Sequence, residues 1–587
     1  MWKFLRTVLA MFIALILFSF LALFVLVGIG TALSSDKEVV QVNDNSVLLL
    51  NLDVPILEKE VENPFEGLDL PFASDKGGVG LIELRRAIAA AKSDDRIKGI
   101  FLSVSEVQTG IATVEELRSA LLDFKTTGKF IYAYAETYSE GAYYLASSAD
   151  KIYLNPSGLL ELNGYGYRLM FFKGLFEKLD IKPEIFKVGD YKSAIEPFVL
   201  DKMSDYNREQ TLSYLGSMNN YMLQNIAESR GLRFEKVKLI SDSMLVHNPQ
   251  DALKHKIVTD VAYYDEFLNE IRLTLGLKES QKISFITYGK YKNSVSDAEN
   301  KSTNKVAVIV AQGDIESGKS DEETIGSDDL AEEIRKVRLD STIKAVVLRI
   351  NSPGGSAMAS DVMWREVTLT AKKKPIVASM SDVAASGGYY LAMGCTKIVA
   401  QPNSITGSIG VFGLLFNIKD FLKNKLGITT DGAKTGLFSD IGTPTRDLTP
   451  YERKAIQEEV NMIYEDFTTK AAEGRHMNVA DLKKVASGRV WSGLEAKQNG
   501  LVDELGGLDA AIAIAAKEAK IDSSYKVVYL PESKNFLEKV LDDFQKDAAI
   551  KKLKTELGPY YSTYKNLASI RKMEGIQAKL PYKVEWR

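Results

Sequence analysis

The sequence predicts a duplicated α/β protein behind an N-terminal transmembrane helix. Three observations carry this: an uncharged apolar run near the start, two stretches that repeat 246 positions apart, and short unbroken apolar runs alternating with helical patterns. The composition agrees. Of 587 residues 45% are hydrophobic, and 74 Lys and Arg nearly balance 78 Asp and Glu. That excludes a disordered chain, a collagen-like repeat and a polybasic nucleic-acid binder. At about 150 residues per domain the length suggests roughly three or four units. A lone cysteine, Cys395, rules out an intrachain disulfide framework or a multi-cysteine metal site. With three histidines, at His247, His255 and His476, little supports imidazole chemistry.

The span comes first. Lys3 and Arg6 are followed by no charge until Asp36, and Thr7 to Gly28 is wholly uncharged. At 1.5 Å per residue that stretch reaches about 33 Å, a bilayer core. It exceeds the apolar region of a secretory signal, although the small residues from Gly30 to Ala32 imitate a cleavage site. Basic residues before the span and Asp36, Lys37 and Glu38 after it place the N-terminus in the cytoplasm and the body outside.

The repeat follows. Asp94-Asp-Arg-Ile-Lys98 matches Asp340-Ser-Thr-Ile-Lys344, and Gly141-Ala-Tyr-Tyr-Leu-Ala146 matches Gly387-Gly-Tyr-Tyr-Leu-Ala392. The two correspondences share one offset, so the copies are collinear. Lys151 to Pro156 parallels Lys397 to Pro402, and the copies join near the polar run Asn293 to Asn304. Within each copy, runs such as 305–311, 343–350, 375–380 and 397–400 read as parallel strands buried on both faces. Ala357 to Thr370, between two of them, has helical spacing, so βαβ units are expected. This divides the chain into a stub and anchor over 1–34, copies over 35–300 and 301–530, and a tail over 531–587 that reads as amphipathic helix.

The copies differ where chemistry would sit. The second has Asn351-Ser-Pro-Gly354-Gly355-Ser356, whose glycines permit exposed backbone N–H groups and positive φ, where the first has Ser105 to Gly110. It also has Ser386 at the expected start of the helix GGYYLAMG, where the first has Glu140. Ser386 reads either as a helix cap or as a nucleophile with an oxyanion site from Gly387 and Gly354 or Gly355. With the histidines poorly placed, a lysine is the next candidate base. It works only if burial brings its pKa from about 10.4 toward neutrality, a cost near 3–4 kcal/mol. Lys192, between Tyr191 and the apolar Ile195 and Phe198, is one candidate; taken alone it also reads as a solvated loop lysine. Lys434, in Asp431-Gly-Ala-Lys-Thr-Gly436, is another, but it lacks an aromatic neighbour and precedes Ser439 and Asp440.

Asn351 to Ser356, Ala385-Ser-Gly-Gly388, Thr406-Gly-Ser-Ile-Gly410 and Val188-Gly-Asp-Tyr-Lys-Ser193, in tandem copies behind a span, resemble the long, duplicated form of the signal peptide peptidase A (protease IV) family. The resemblance runs from the anchor to about Gly507. It implies two ClpP/crotonase-like domains and a serine endopeptidase that degrades cleaved signal peptides and other apolar peptides. It places the nucleophile on Ser386, the general base on Lys192, Ser408 beside the lysine amine, and oxyanion donors at Gly354, Gly355 and Gly387. It further implies no metal or organic cofactor, no nucleic-acid partner, a homotetrameric bowl, and a single-pass inner-membrane protein with its body on the periplasmic side. Two other classes compete: an acyl-CoA enzyme of the same fold, and a non-catalytic membrane scaffold. An exported location and the lack of a basic CoA-type cluster weigh against the first.

Overall fold

In a βαβ chain, strands with apolar residues on both faces must be covered by helices on both sides, and both copies are built so. The computed structural model describes residues 2–35, 41–60, 78–294, 302–321, 323–521, 524–531 and 575–580. The first copy has a six-stranded parallel sheet, in the order Asp260–Val261, Lys151–Leu160, Phe130–Tyr138, Ile97–Ser103, Ser46–Asn51, Ser284–Thr287. The second has a matching path. It runs from Val490–Ser492 through Ile405–Gly407, Ile376–Ala385, Ile343–Ser352 and Lys305–Gln312 to Lys526–Leu530, with Lys397–Ala400 and Glu504–Leu505 alongside. Strands at 97 and 343, 130 and 376, and 151 and 397 occupy equivalent places, so the sequence offset is a structural one. The helix Ala357–Ala371 covers the strands on either side of it in sequence, burying Ala359, Met363 and Val367.

The halves are locked by a buried ionic cluster that the sequence analysis did not single out. Arg349, fully buried on the strand Ile343–Ser352, reaches Glu58 at 2.8 Å and Glu116 at 2.6 Å, both from the first copy. Two serine hydroxyls, Ser379 and Ser381, take its remaining N–H groups. Nearby, Thr113 donates its backbone N–H and its hydroxyl to Asp382, and Gly110 lies so close that a Cβ there would sit 2.2 Å from the Asp382 carboxyl carbon. Such a cluster holds two surfaces in one register because any slip leaves a charge buried and unpaired.

A third sheet joins the copies. Its order is Thr324–Gly326, Asp314–Glu316, Gly354–Ser356, Gly575–Lys579, Phe412–Asn417, Lys182–Lys187. The last strand belongs to the first copy, and the loop that follows it carries Lys192. The strand Gly575–Lys579 corrects the helical reading of that part of the tail. Pairing on both sides decides its conformation, and local propensity does not. The rest of the tail, apart from Pro531 and Leu580, lies outside the described residues, as do residues 295–301 of the join.

The N-terminal helix runs over Trp2–Ser35, and its described side chains, which end at Leu21, include exposed Phe4, Phe12, Ile16 and Phe20. Among described residues no helix is long and apolar enough to cross a membrane. The expected span extends to Gly28, and the side chains of its last seven residues lie outside that set.

Candidate active site

The strand Ile343–Ser352 ends in Pro353 and Gly354, where the chain turns at a φ of +96°. Only glycine takes that angle without strain, and a Cβ here would stand 2.6 Å from the Gly387 nitrogen. The Gly354 N–H is bonded to Ser352 Oγ at 3.2 Å, so this glycine supplies the bend and leaves its own N–H engaged. Gly355 then runs as a short strand against Ile315.

The neighbouring strand, Ile376–Ala385, delivers Ser386 at φ 54° and ψ −109°. This conformation is rare for a residue with a Cβ and costs of order 1–3 kcal/mol. It throws the side chain away from the helix Gly387–Ala392, and Ser386 makes no capping bond to that helix. The capping alternative is therefore set aside. The hydroxyl lies 3.0 Å from Lys192 Nζ and 3.4 Å from the Gly410 carbonyl oxygen.

Lys192 arrives from the first copy, 194 positions earlier. Its Nζ also lies 3.0 Å from Ser408 Oγ and 3.3 Å from the Ser408 carbonyl oxygen. A neutral amine can donate two N–H bonds to Ser408 and keep its lone pair for the Ser386 proton. The side chain is completely buried with no carboxylate beside it, and desolvation alone brings its pKa down to about 7. The Phe412 ring, 6.0 Å from Nζ, packs with Phe176, Ile195 and Phe198 to form the dry wall. Tyr191 does not contribute to that wall, because its hydroxyl turns to Glu209 and Arg489.

Two residues that sequence reasoning missed hold the lysine loop. A Cβ on Gly488, at φ +78°, would lie 2.6 Å from the Lys192 Cβ, so only glycine lets the two segments touch. Gln210 donates to the Tyr191 carbonyl and Ser193 Oγ while accepting from the Val490 N–H, bridging the lysine loop to the second copy. The glycine in Ser487-Gly488-Arg489 is a turn signal visible in the sequence; Gln210, inside a long helix, gives none.

The other candidates lie elsewhere. Lys434 pairs with Asp440 at 3.0 Å on the surface, its side chain 39% exposed. His255 and His476 close helices, and the His247 backbone N–H caps onto Asp251. Among the described residues no group of His, Cys, Asp or Glu is placed to hold a metal ion.

In the first copy Glu140 occupies the position of Ser386. Its buried carboxylate accepts from the Gly164 N–H at 3.0 Å and the Asn163 N–H at 3.4 Å, and desolvation raises its pKa to about 7. These two residues are the repeat counterparts of Gly410 and Ile409, so Glu140 fills the place of the hydroxyl and engages the loop that opposes it. Glu140→Gln is expected to keep peptide hydrolysis within about threefold of the parent while costing roughly 1–2 kcal/mol of stability, read by kinetics and thermal melting. A loss matching that of Ser386→Ala would remove the distinction between the two halves.

A family model described as Peptidase family S49 matches this chain twice, over residues 123–278 and 368–522. The chain is 35% identical over 464 residues to "Serine protease SPPA, chloroplastic" of Arabidopsis thaliana, covering 78% of this chain and 68% of that protein. It is 35% identical over 473 residues to "Protease 4" of Salmonella typhi, covering 79% and 75%. With "Protease 4" of Haemophilus influenzae it shares 33% identity over 513 residues, covering 83% and 81%.

Proposed function

Because the chain belongs to peptidase family S49 and is a serine endopeptidase, we propose that Ser386 is its nucleophile and Lys192 its general base, acting on cleaved signal peptides and other apolar peptides. The observation that carries this reading is a wholly buried lysine, brought to a pKa of about 7 by desolvation, 3.0 Å from a strained serine hydroxyl.

In the first step Ser386 Oγ passes its proton to neutral Lys192 and attacks the scissile carbonyl. The oxyanion settles against the N–H groups of Gly355 and Gly387. Lys192 then protonates the leaving amine, and later deprotonates the water that cleaves the acyl ester. Ser408 positions the lysine amine. An extended substrate gains backbone bonds from the strand edges Gly354–Ser356 and Phe412–Asn417 on either side of the site. An acyl-CoA enzyme needs no such paired edges, and a scaffold needs no neutral lysine.

The copies 35–300 and 301–530 form two ClpP/crotonase-like domains, the first supplying the lysine and the second the serine. The apolar N-terminal helix anchors them to the inner membrane with the body on the periplasmic side; the apolar side chains exposed along it as far as Leu21 favour a lipid setting. Exposed Leu426, Ile428, Leu437 and Ile441 offer an apolar surface for assembly into a homotetramer. Two measurements test the reading together. A purified chain should hydrolyse an apolar signal-peptide sequence and lose that activity on Ser386→Ala. In cells the chain should stay in the membrane fraction after alkaline carbonate washing, with its body digested by protease added to spheroplasts. A soluble chain starting near Leu33 would instead mark the N-terminal segment as a cleaved signal.

A further inference from the structure

The strand Gly575–Lys579 lies where a substrate would. It fills the one-strand gap between Gly354–Ser356 and Phe412–Asn417, antiparallel to both. Its register opposes Lys579 to Gly354, Ala578 to Gly355 and Gln577 to Ser356. The Leu580 N–H donates to the Pro353 carbonyl at 2.7 Å, which makes that opposed pair a hydrogen-bonded one. Two residues along, Gly355 and Ala578 form a pair of the same kind, in which the Gly355 N–H points to the Ala578 carbonyl.

That carbonyl is the atom the glycines make room for. The Ala578 oxygen is 2.1 Å from where a Gly354 Cβ would stand and 3.0 Å from the corresponding point on Gly387. The Gly387 nitrogen is 2.6 Å from the first of those points, so the oxygen and both proposed donors converge in one notch. Side chains fix the register on either side. Ala578 is fully buried, Leu580 is 2% exposed, and Lys579 pairs with Asp314 at 2.7 Å. A strand that merely completed the sheet would have no need to seat one carbonyl in the oxyanion notch.

We propose that Gly575–Leu580 is the enzyme's own substrate, cut by Ser386 at the Ala578–Lys579 bond. This rests on the assignment of Ser386 and Lys192 above. Ser386 Oγ bonds to the Ala578 carbonyl carbon as its proton moves to Lys192 Nζ. The Ala578–Lys579 C–N bond then breaks, and that proton goes to the departing Lys579 nitrogen. Water, deprotonated by Lys192, opens the ester, and Ser386 regains its proton. The products are a chain ending in the Ala578 carboxylate and a peptide beginning Lys579-Leu580. Until the strand leaves, no other carbonyl can enter the notch, so the cut precedes turnover of other peptides.

The test is the intact mass of the purified full-length chain, with hydrolysis of an added apolar fluorogenic peptide measured on the same sample. Wild type is expected to end at Ala578 and to cleave the peptide, whereas Ser386→Ala should retain every residue after Ala578 and cleave nothing. Chain shortening should proceed with a half-time unchanged by tenfold dilution. Wild type that cleaves the added peptide yet keeps its residues beyond Ala578, or that is cut at another bond, overturns the proposal and leaves the Ser386 and Lys192 assignment standing. Wild type that cuts neither overturns both.

Discussion

Ser386→Ala is expected to lower kcat on an apolar peptide by at least about 10⁴-fold, over roughly 5 kcal/mol of transition-state stabilisation. The hydroxyl is the only group at the notch that can form the acyl ester, and what remains is the binding and oxyanion contribution. Folding should change little. Alanine keeps the same backbone strain and loses only the bonds to Lys192 and Gly410, so stability should fall by no more than about 1–2 kcal/mol. Ser386→Gly is equally inactive yet should melt higher than Ser386→Ala, by about 1 kcal/mol, because glycine tolerates a φ of 54°. Equal stability of the two variants would mean that the serine is not held in that conformation.

Lys192→Ala should cut kcat by several orders of magnitude, and Lys192→Arg should not restore it, since a guanidinium stays protonated. Lys434→Ala, on a surface lysine paired to Asp440, should change the rate by less than about tenfold. The pH profile carries the sign. Only the neutral amine accepts the serine proton, so kcat/KM of wild type should rise as pH passes about 7 and level off above it, and Lys192→Ala should lack that limb. Stability should show the same group. In the unfolded chain the lysine keeps its ordinary pKa of 10.5, so between about 7 and 10.5 the unfolded state holds a proton that the native state does not. Wild type should therefore gain stability relative to Lys192→Met as pH rises through that window. A gain on lowering the pH would show that the amine is charged in the fold.

Much of this was legible because the duplication leaves an internal control in one sequence. The strands at 343 and 376 followed from unbroken apolar runs, and the contrast of Ser386 with Glu140 followed from a constant offset. What was not legible depends on contacts between distant segments. Desolvation of Lys192 was expected from Tyr191, Ile195 and Phe198. The structure keeps the last two and replaces the first with Phe412, which lies 220 positions away in the other copy. Gly354 was expected as an oxyanion donor, but its N–H is taken by Ser352, a bond that no spacing announces. The tail strand was read as helix, because Ile576-Gln-Ala-Lys has no strand pattern until two edges flank it. Arg349 looked like one more residue in a strand, and its two carboxylate partners lie more than 200 positions earlier.

The central claim is that one active site is assembled from a lysine of the first copy and a serine of the second. Covalent labelling by a serine-directed fluorophosphonate, followed by mass spectrometry of the digest, tests it most directly. The account predicts a single modified peptide carrying Ser386 in wild type, and labelling at least 100-fold slower in Lys192→Ala but not in Lys434→Ala. Label on another serine, or undiminished labelling of Ser386 without Lys192, would contradict it.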